Sequence, residues 1–179
     1  KVNTAYLDFI DTLNNWYVRR SRRRFWKSES DQDKEQAYQT LYTVLMKFIK
    51  AAAPVIPFTT EEIYRNLRTE DMPVSVHLCD FPVADKSLID RDLENKMEVT
   101  RKAVSLGRAL RSAHSIKTRQ PLHAAYLVTR NQTEKVILQE MEGIIAEELN
   151  VKEISLRDNE EELVEYSCKA NFKMLGSIL

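Results

Sequence analysis

The stretch Tyr6-Leu7-Asp8-Phe9-Ile10-Asp11-Thr12-Leu13-Asn14-Asn15-Trp16-Tyr17-Val18-Arg19-Arg20-Ser21-Arg22-Arg23-Arg24-Phe25-Trp26-Lys27 decides the fold class and points to a partner. Tyr6, Phe9, Ile10, Leu13, Trp16 and Tyr17 recur at steps of three and four, the spacing of one apolar stripe on a helix. It predicts a single helix over 3–27. The second half of the stretch is cationic. Residues 1–27 carry seven basic groups (Lys1, Arg19, Arg20, Arg22, Arg23, Arg24, Lys27) against Asp8 and Asp11, net +5.

Working outward, the same periodicity continues. Tyr38, Leu41, Tyr42, Leu45, Phe48, Ile49 and Ala52 predict a second helix over 34–53, ended by Pro54 and Pro57, since proline lacks the amide donor. Thr59 or Thr60 with Glu62 reads as a capping signature for a short helix to Leu67. Residues 68–87 hold Asp71, Pro73 and Pro82 and read as a crossing loop, with a short strand at Val74–Leu78. A long helix follows over 89–113, with Leu93, Met97, Thr100, Val104 and Leu110 or Arg111 on its inner side. Gly107 in its middle costs about 1 kcal/mol relative to alanine, which points to close packing there. After Pro121 the pattern changes. Strands are predicted over 124–130, 151–156 and 163–169, with a helix over 133–149. The fold class is therefore mainly α, a helical bundle over 1–120 followed by a small α+β unit, βαββ in order, over 121–179.

Composition sets the outer limits. The 179 residues include 43% hydrophobic and 30% charged ones, which describes a globular chain able to bury a core. Three glycines and five prolines leave little material for the turns of an all-β fold. No run approaches the roughly 18 apolar residues of a membrane span. The first residue is Lys1, so the sequence is read as a fragment or a processed chain, and targeting is not legible. Cys79 and Cys168 stand far apart and read as free buried thiols of a reducing compartment. His77 near Cys79 makes two ligands, too few for a metal site. His114 and His123 read as loop histidines.

Net charge is zero, yet the charges are segregated. Residues 132–166 carry eleven acidic and three basic groups, net −8, opposite the basic first segment. A basic pole in a neutral chain suggests an anionic partner at that pole. On a helical wheel Arg19, Arg22, Arg23 and Trp26 share a face. Guanidinium groups grip phosphates and stack on bases, and indole faces stack unpaired bases at about 1–3 kcal/mol each. The competing reading is an amphipathic helix whose arginines pair with neighbouring carboxylates while its aromatics fill the core. A second basic stretch, Arg101, Lys102, Arg108, Arg111, Lys117 and Arg119 against Glu98, lies at a helix C-terminus, where the helix dipole accounts for part of it. The sequence contains no glycine-rich phosphate loop, no Cys/His cluster and no nucleophile–base pair, so no catalytic residue is assigned.

The run Asn15 to Lys27 resembles the anticodon-binding domain of the isoleucyl-tRNA synthetase family, class I aminoacyl-tRNA synthetases. The likeness extends through Ala37-Tyr38, Leu41-Tyr42, Pro57-Phe58-Thr59, Glu61-Glu62-Ile63-Tyr64, Asn66-Leu67, Ser75-Val76-His77-Leu78, Ile116-Lys117, Arg119-Gln120-Pro121-Leu122 and Ala170-Asn171-Phe172-Lys173. The resemblance implies a cytoplasmic ligase that attaches isoleucine to tRNA(Ile) with ATP and Mg. It implies that this chain binds neither of those and contains no catalytic or editing part. It also implies that residues 1–120 are the anticodon-binding domain without its first helix, and that 121–179 begin a C-terminal appendage, cut short. The implied partners are tRNA(Ile) and other domains of the same synthetase, with no membrane and no DNA. By the same likeness Trp16 packs against an anticodon base and Asn15 hydrogen-bonds a base edge. Arg19, Arg20, Arg22, Arg23 and Arg24 are then candidates for phosphate or base contacts, and Trp26 for a second stack. The alternative within that family is an interdomain packing module with no direct base contacts.

Overall fold

The computed structural model describes residues 2–27 and 30–159. Two compact units divide the chain, the first ending at Asp85 and the second beginning at Lys86.

The first unit opens with helix α1, Val2–Thr12, which continues as a π-helical turn over Leu13–Val18. A break at Ser21 precedes helix α2, Arg22–Trp26. The single regular helix expected over 3–27 is thus corrected, and packing supplies the reason. Helix α3, Asp31–Ala52, runs back alongside. Tyr6 donates to the Ala51 carbonyl at 2.7 Å, and Phe9 stacks on Phe48 with ring centroids 4.9 Å apart. At the other end Phe25 is buried against Tyr38, at 5.2 Å. At about 100° per residue, an unbroken α-helix would set Phe25 about 100° away from Tyr6. The extra residue taken up by a π-turn removes that drift, so both ends of the segment meet α3.

Helix α3 starts three residues before its expected Lys34. Ser30 caps it by accepting from the Asp33 amide at 3.4 Å, and Asp31 and Asp33 sit in its first turn, where negative charge is favoured. Helix α4 spans Pro57–Leu67. The expected threonine cap is absent: Pro57 opens the first turn, and the buried Thr60 hydroxyl donates back to the carbonyls of Ile56 (2.9 Å) and Pro57 (3.1 Å).

Met46, Ile49, Ala53, Tyr64 and Val76 form the core of this unit, with Tyr42, Phe48, Leu67, Met72 and Cys79 around it. Tyr64, fully buried, donates to the Pro73 carbonyl at 2.9 Å and accepts from the Cys79 thiol at 3.2 Å. Burial and that thiol push its phenol up to about 12. The strand expected at Val74–Leu78 is instead a 3-10 turn over Val76–Leu78. Glu61 is the reason, since its Oε2 accepts from Ser75 Oγ (2.8 Å) and from the Val76 amide (2.9 Å), the latter a backbone donor that would otherwise need a strand partner.

These two bonds hold the Glu61 carboxyl below its usual range. The unfolded chain therefore binds this proton more readily than the folded one. The stabilisation is complete above the ordinary glutamate pKa of about 4.3 and disappears as pH falls through the lower folded value. Urea midpoints of the wild type and Glu61→Gln should accordingly differ at pH 7 and converge in acid. A gap that stays constant with pH would contradict this.

In the second unit Asp90 caps helix α5, Arg91–Ala113, accepting from the Leu93 amide at 3.0 Å. Its buried face is Thr100, Val104 and, of the alternatives Leu110 or Arg111, the arginine, whereas Leu93, expected inside, is exposed. Gly107 is the predicted close approach. A Cβ there would lie 2.6 Å from Cδ2 of the buried Leu149. Gly107→Val should therefore destabilise this unit, by about 1–3 kcal/mol as overpacking generally does, read as a lowered urea midpoint.

Strand β1, Leu122–Val128, pairs in parallel with β2, Val151–Arg157, from Leu122 opposite Val151 to Val128 opposite Arg157. Parallel neighbours need a crossover, which helices α6, Gln132–Glu140, and α7, Glu142–Leu149, supply. The one helix expected over 133–149 divides at Met141, beside the weak helix former Gly143. Asn131 caps α6, and Asn150, left-handed at φ 50°, ends α7. Helix α5 packs on α6 and α7 within this unit. The strand expected over 163–169, and Cys168, lie outside the described residues. The structure is mainly helical with a small α/β element.

Candidate nucleic-acid interface

The rephased segment sorts the cationic run into two classes. Phe25 is buried (4% exposed), Ser21 is buried, and Arg24 faces α3. Arg24 Nη2 meets Asp33 Oδ1 at 2.8 Å and its Nε donates to the same carboxylate at 2.9 and 3.2 Å. That bond holds the Arg24 guanidinium above its ordinary range. Arg24 and Phe25 therefore behave as the competing structural reading requires.

The remaining residues do not. Asn15, Arg19, Arg22, Arg23, Trp26 and Lys27 are exposed, and Trp26 shows 70% of its surface. Arg22 and Arg23 have no carboxylate partner among the described residues. The Arg22 guanidinium lies 5.7 Å from the Trp26 ring centroid, and that of Arg20 lies 5.5 Å from the Trp16 ring. Trp16 is half-buried, so one part of its indole packs and another part faces water. Asn15 Nδ2 donates to Asp11 at 2.6 Å, and Arg19 Nε donates to the Asn15 carbonyl at 3.0 Å. Partial burial and the adjacent Arg20 pull the Arg19 guanidinium down. Arginine starts high enough to remain a cation.

Chemically, the face combines flat apolar rings with forked donors beside them. A cation over an indole fixes the ring and leaves the other guanidinium edges for an acceptor. That suits an unpaired base with its flanking phosphates.

The second basic stretch divides: Lys102, Lys117 and Arg119 are exposed, whereas Arg108 and Arg111 turn into the unit. Arg108 pairs with the buried Glu148, and Arg111 is 5% exposed. His77, His114 and His123 are exposed, and Cys79 is half-buried rather than buried. Among the described residues no three carboxylate, imidazole or thiol groups come together, and no helix is long and apolar enough to cross a membrane. The Arg24–Asp33 contact escaped the sequence reading because nine residues and a loop separate the pair, a spacing that no local rule marks.

The model of the anticodon-binding domain of tRNA ligases matches residues 1–126. This chain belongs to that family. The chain is similar to isoleucine–tRNA ligase of Treponema denticola, 58% identical over 97% of the chain and 16% of that protein. Isoleucine–tRNA ligase of Treponema pallidum strain Nichols is 50% identical over the whole chain and 16% of its own length. That of Chlamydia muridarum is 48% identical over 97% of the chain and 17% of its length. The chain thus spans about one sixth of the curated relatives it matches. In this anticodon-binding family member the matched region contains both the exposed Arg22–Arg23–Trp26 face and the Trp16–Arg20 pair.

Proposed function

We propose that this chain is the part of an isoleucine–tRNA ligase that binds the anticodon stem-loop of tRNA(Ile). The observation that carries the reading is the exposed face of Arg22, Arg23 and Trp26, next to the half-buried Trp16 and its Arg20. Arg22 and Arg23 supply phosphate contacts, Arg19 and Arg20 extend that surface, and Trp16 and Trp26 offer stacking planes. Asn15 presents an amide to a base edge. Arg24 acts through the fold, holding α2 to α3. Residues 1–120 would be the anticodon-binding domain and 121–179 the beginning of an appendage, with the other domains of a cytoplasmic ligase as further partners. Isoleucine activation with ATP and Mg belongs to that larger protein.

Binding should be micromolar or weaker, because a whole ligase spreads its RNA contacts over more surface than this. It should also fall steeply with salt, since each neutralised phosphate releases counterions. Anisotropy titration of a labelled tRNA(Ile) anticodon stem-loop tests this, with a scrambled-loop hairpin alongside. A preference for the native loop and a clear salt slope are expected. No salt-sensitive binding up to high micromolar protein would favour the packing module, in which the arginines dock on protein. Trp16→Ala should weaken recognition of the loop more than it lowers the urea midpoint. If the variant unfolds instead, Trp16 belongs to the core.

A further inference from the structure

One cationic element outside the first segment is built with unusual rigidity. It is the turn Lys117-Thr118-Arg119-Gln120 that follows α5, closed by the Gln120 amide donating to the Lys117 carbonyl at 2.9 Å. Arg111, buried, reaches under it. Its Nη1 donates to the carbonyls of Lys117 (3.1 Å) and Gln120 (3.0 Å), and its Nη2 to those of Leu149 (2.7 Å) and Asn150 (3.2 Å). Asn150 Nδ2 donates to a further turn carbonyl, that of Thr118, at 3.1 Å. The chain enters the turn through Ser115 at φ 57°, a left-handed conformation that costs a serine energy and that clusters at ligand clamps.

The turn therefore directs three carbonyls inward and leaves the side chains of Lys117 and Arg119 exposed, two residues apart on a fixed backbone. Neither has a carboxylate partner among the described residues. Three acids of the same unit are engaged by other cations, Glu148 by Arg108, and Asp92 and Glu140 by Lys96. Ordering the backbone beforehand lowers what an incoming anion must offset.

We propose that this turn is a second, sequence-independent contact for the phosphate backbone of the same RNA, with Arg111 as its positioning residue. The inference rests on the RNA-binding reading above. A nucleic-acid backbone is favoured over an acidic protein surface because the chain belongs to a family whose ligand is a polyanion, and because a lysine and an arginine on a rigid turn read phosphate charge rather than sequence.

The test uses the 179-residue chain and an unmodified tRNA(Ile) transcript. Lys117→Gln with Arg119→Gln should weaken binding about tenfold near 0.1 M salt and flatten the salt slope by about 1.5, as the loss of two phosphate contacts requires. The factor should be the same for a transcript with a scrambled anticodon loop. Exchanging charge for charge, Lys117→Arg with Arg119→Lys, should restore the slope. Unchanged affinity and slope in the glutamine pair, while Arg22→Gln with Arg23→Gln lowers both, would overturn this inference and leave the first reading intact. If neither pair changes binding, the RNA-binding reading falls as well. A loss confined to the native loop, or one the charge exchange does not repair, would also defeat a backbone contact.

Discussion

Arg111→Leu should cost the second unit about 3 kcal/mol. The guanidinium is 5% exposed and donates to four carbonyls, two in the turn over 117–120 and two at the end of α7. Leucine fills much of the volume and removes every donor. A buried carbonyl left without a partner costs about 1–3 kcal/mol. Some of the four keep other donors, such as the Leu122 amide on Asn150 at 3.1 Å, so the sum stays near the lower range. Arg111→Lys should cost less, because one ammonium can still serve some of the carbonyls. Hydrogen exchange should rise first at the start of β1, which the turn feeds. Wild-type exchange across 115–128 in the leucine variant would show that this arginine holds nothing together.

The second large effect concerns binding rather than stability. Arg22→Gln with Arg23→Gln should weaken affinity for the anticodon stem-loop about 10–50-fold near 0.1 M salt and reduce the salt slope by about 1.5, the loss of two phosphate contacts. Both side chains are exposed, so the urea midpoint should stay where it was, as for most surface changes. Arg24→Gln is the internal control. It breaks the pair with Asp33, a partly exposed contact that contributes no more than about 1 kcal/mol, and should lower stability slightly with little change in slope. The reverse pattern, with Arg24 controlling affinity and Arg22 and Arg23 silent, would mean that the cationic face is misassigned.

The helices were legible because their stripes are regular. Tyr38, Leu41, Tyr42, Leu45 and Ile49 locate α3 to within three residues of its ends, and Gly107 announced the contact that Leu149 makes. What escaped was set by contacts distant in sequence. The π-turn at Leu13–Val18 exists because Tyr6 and Phe25 must both reach α3, a demand no local spacing records. Val74–Leu78 has the composition of a strand, but Glu61 satisfies its donors from α4. Leu110 and Arg111 were interchangeable on the wheel, and the arginine went inside because four carbonyls converge there. In the candidate site the residue types were readable, whereas the separation of Arg24 and Phe25 from Arg22, Arg23 and Trp26 required the fold.

The most direct measurement follows from the composition. The chain has two tryptophans, Trp16 and Trp26, and both stand on the proposed interface. Its intrinsic indole emission therefore reports on that segment. Titration with the tRNA(Ile) anticodon stem-loop should quench the emission saturably, with the midpoint of the anisotropy curve, and Trp26→Phe should leave a smaller quench from Trp16. Binding seen by anisotropy with indole emission unchanged would place the RNA elsewhere on the molecule and contradict the account.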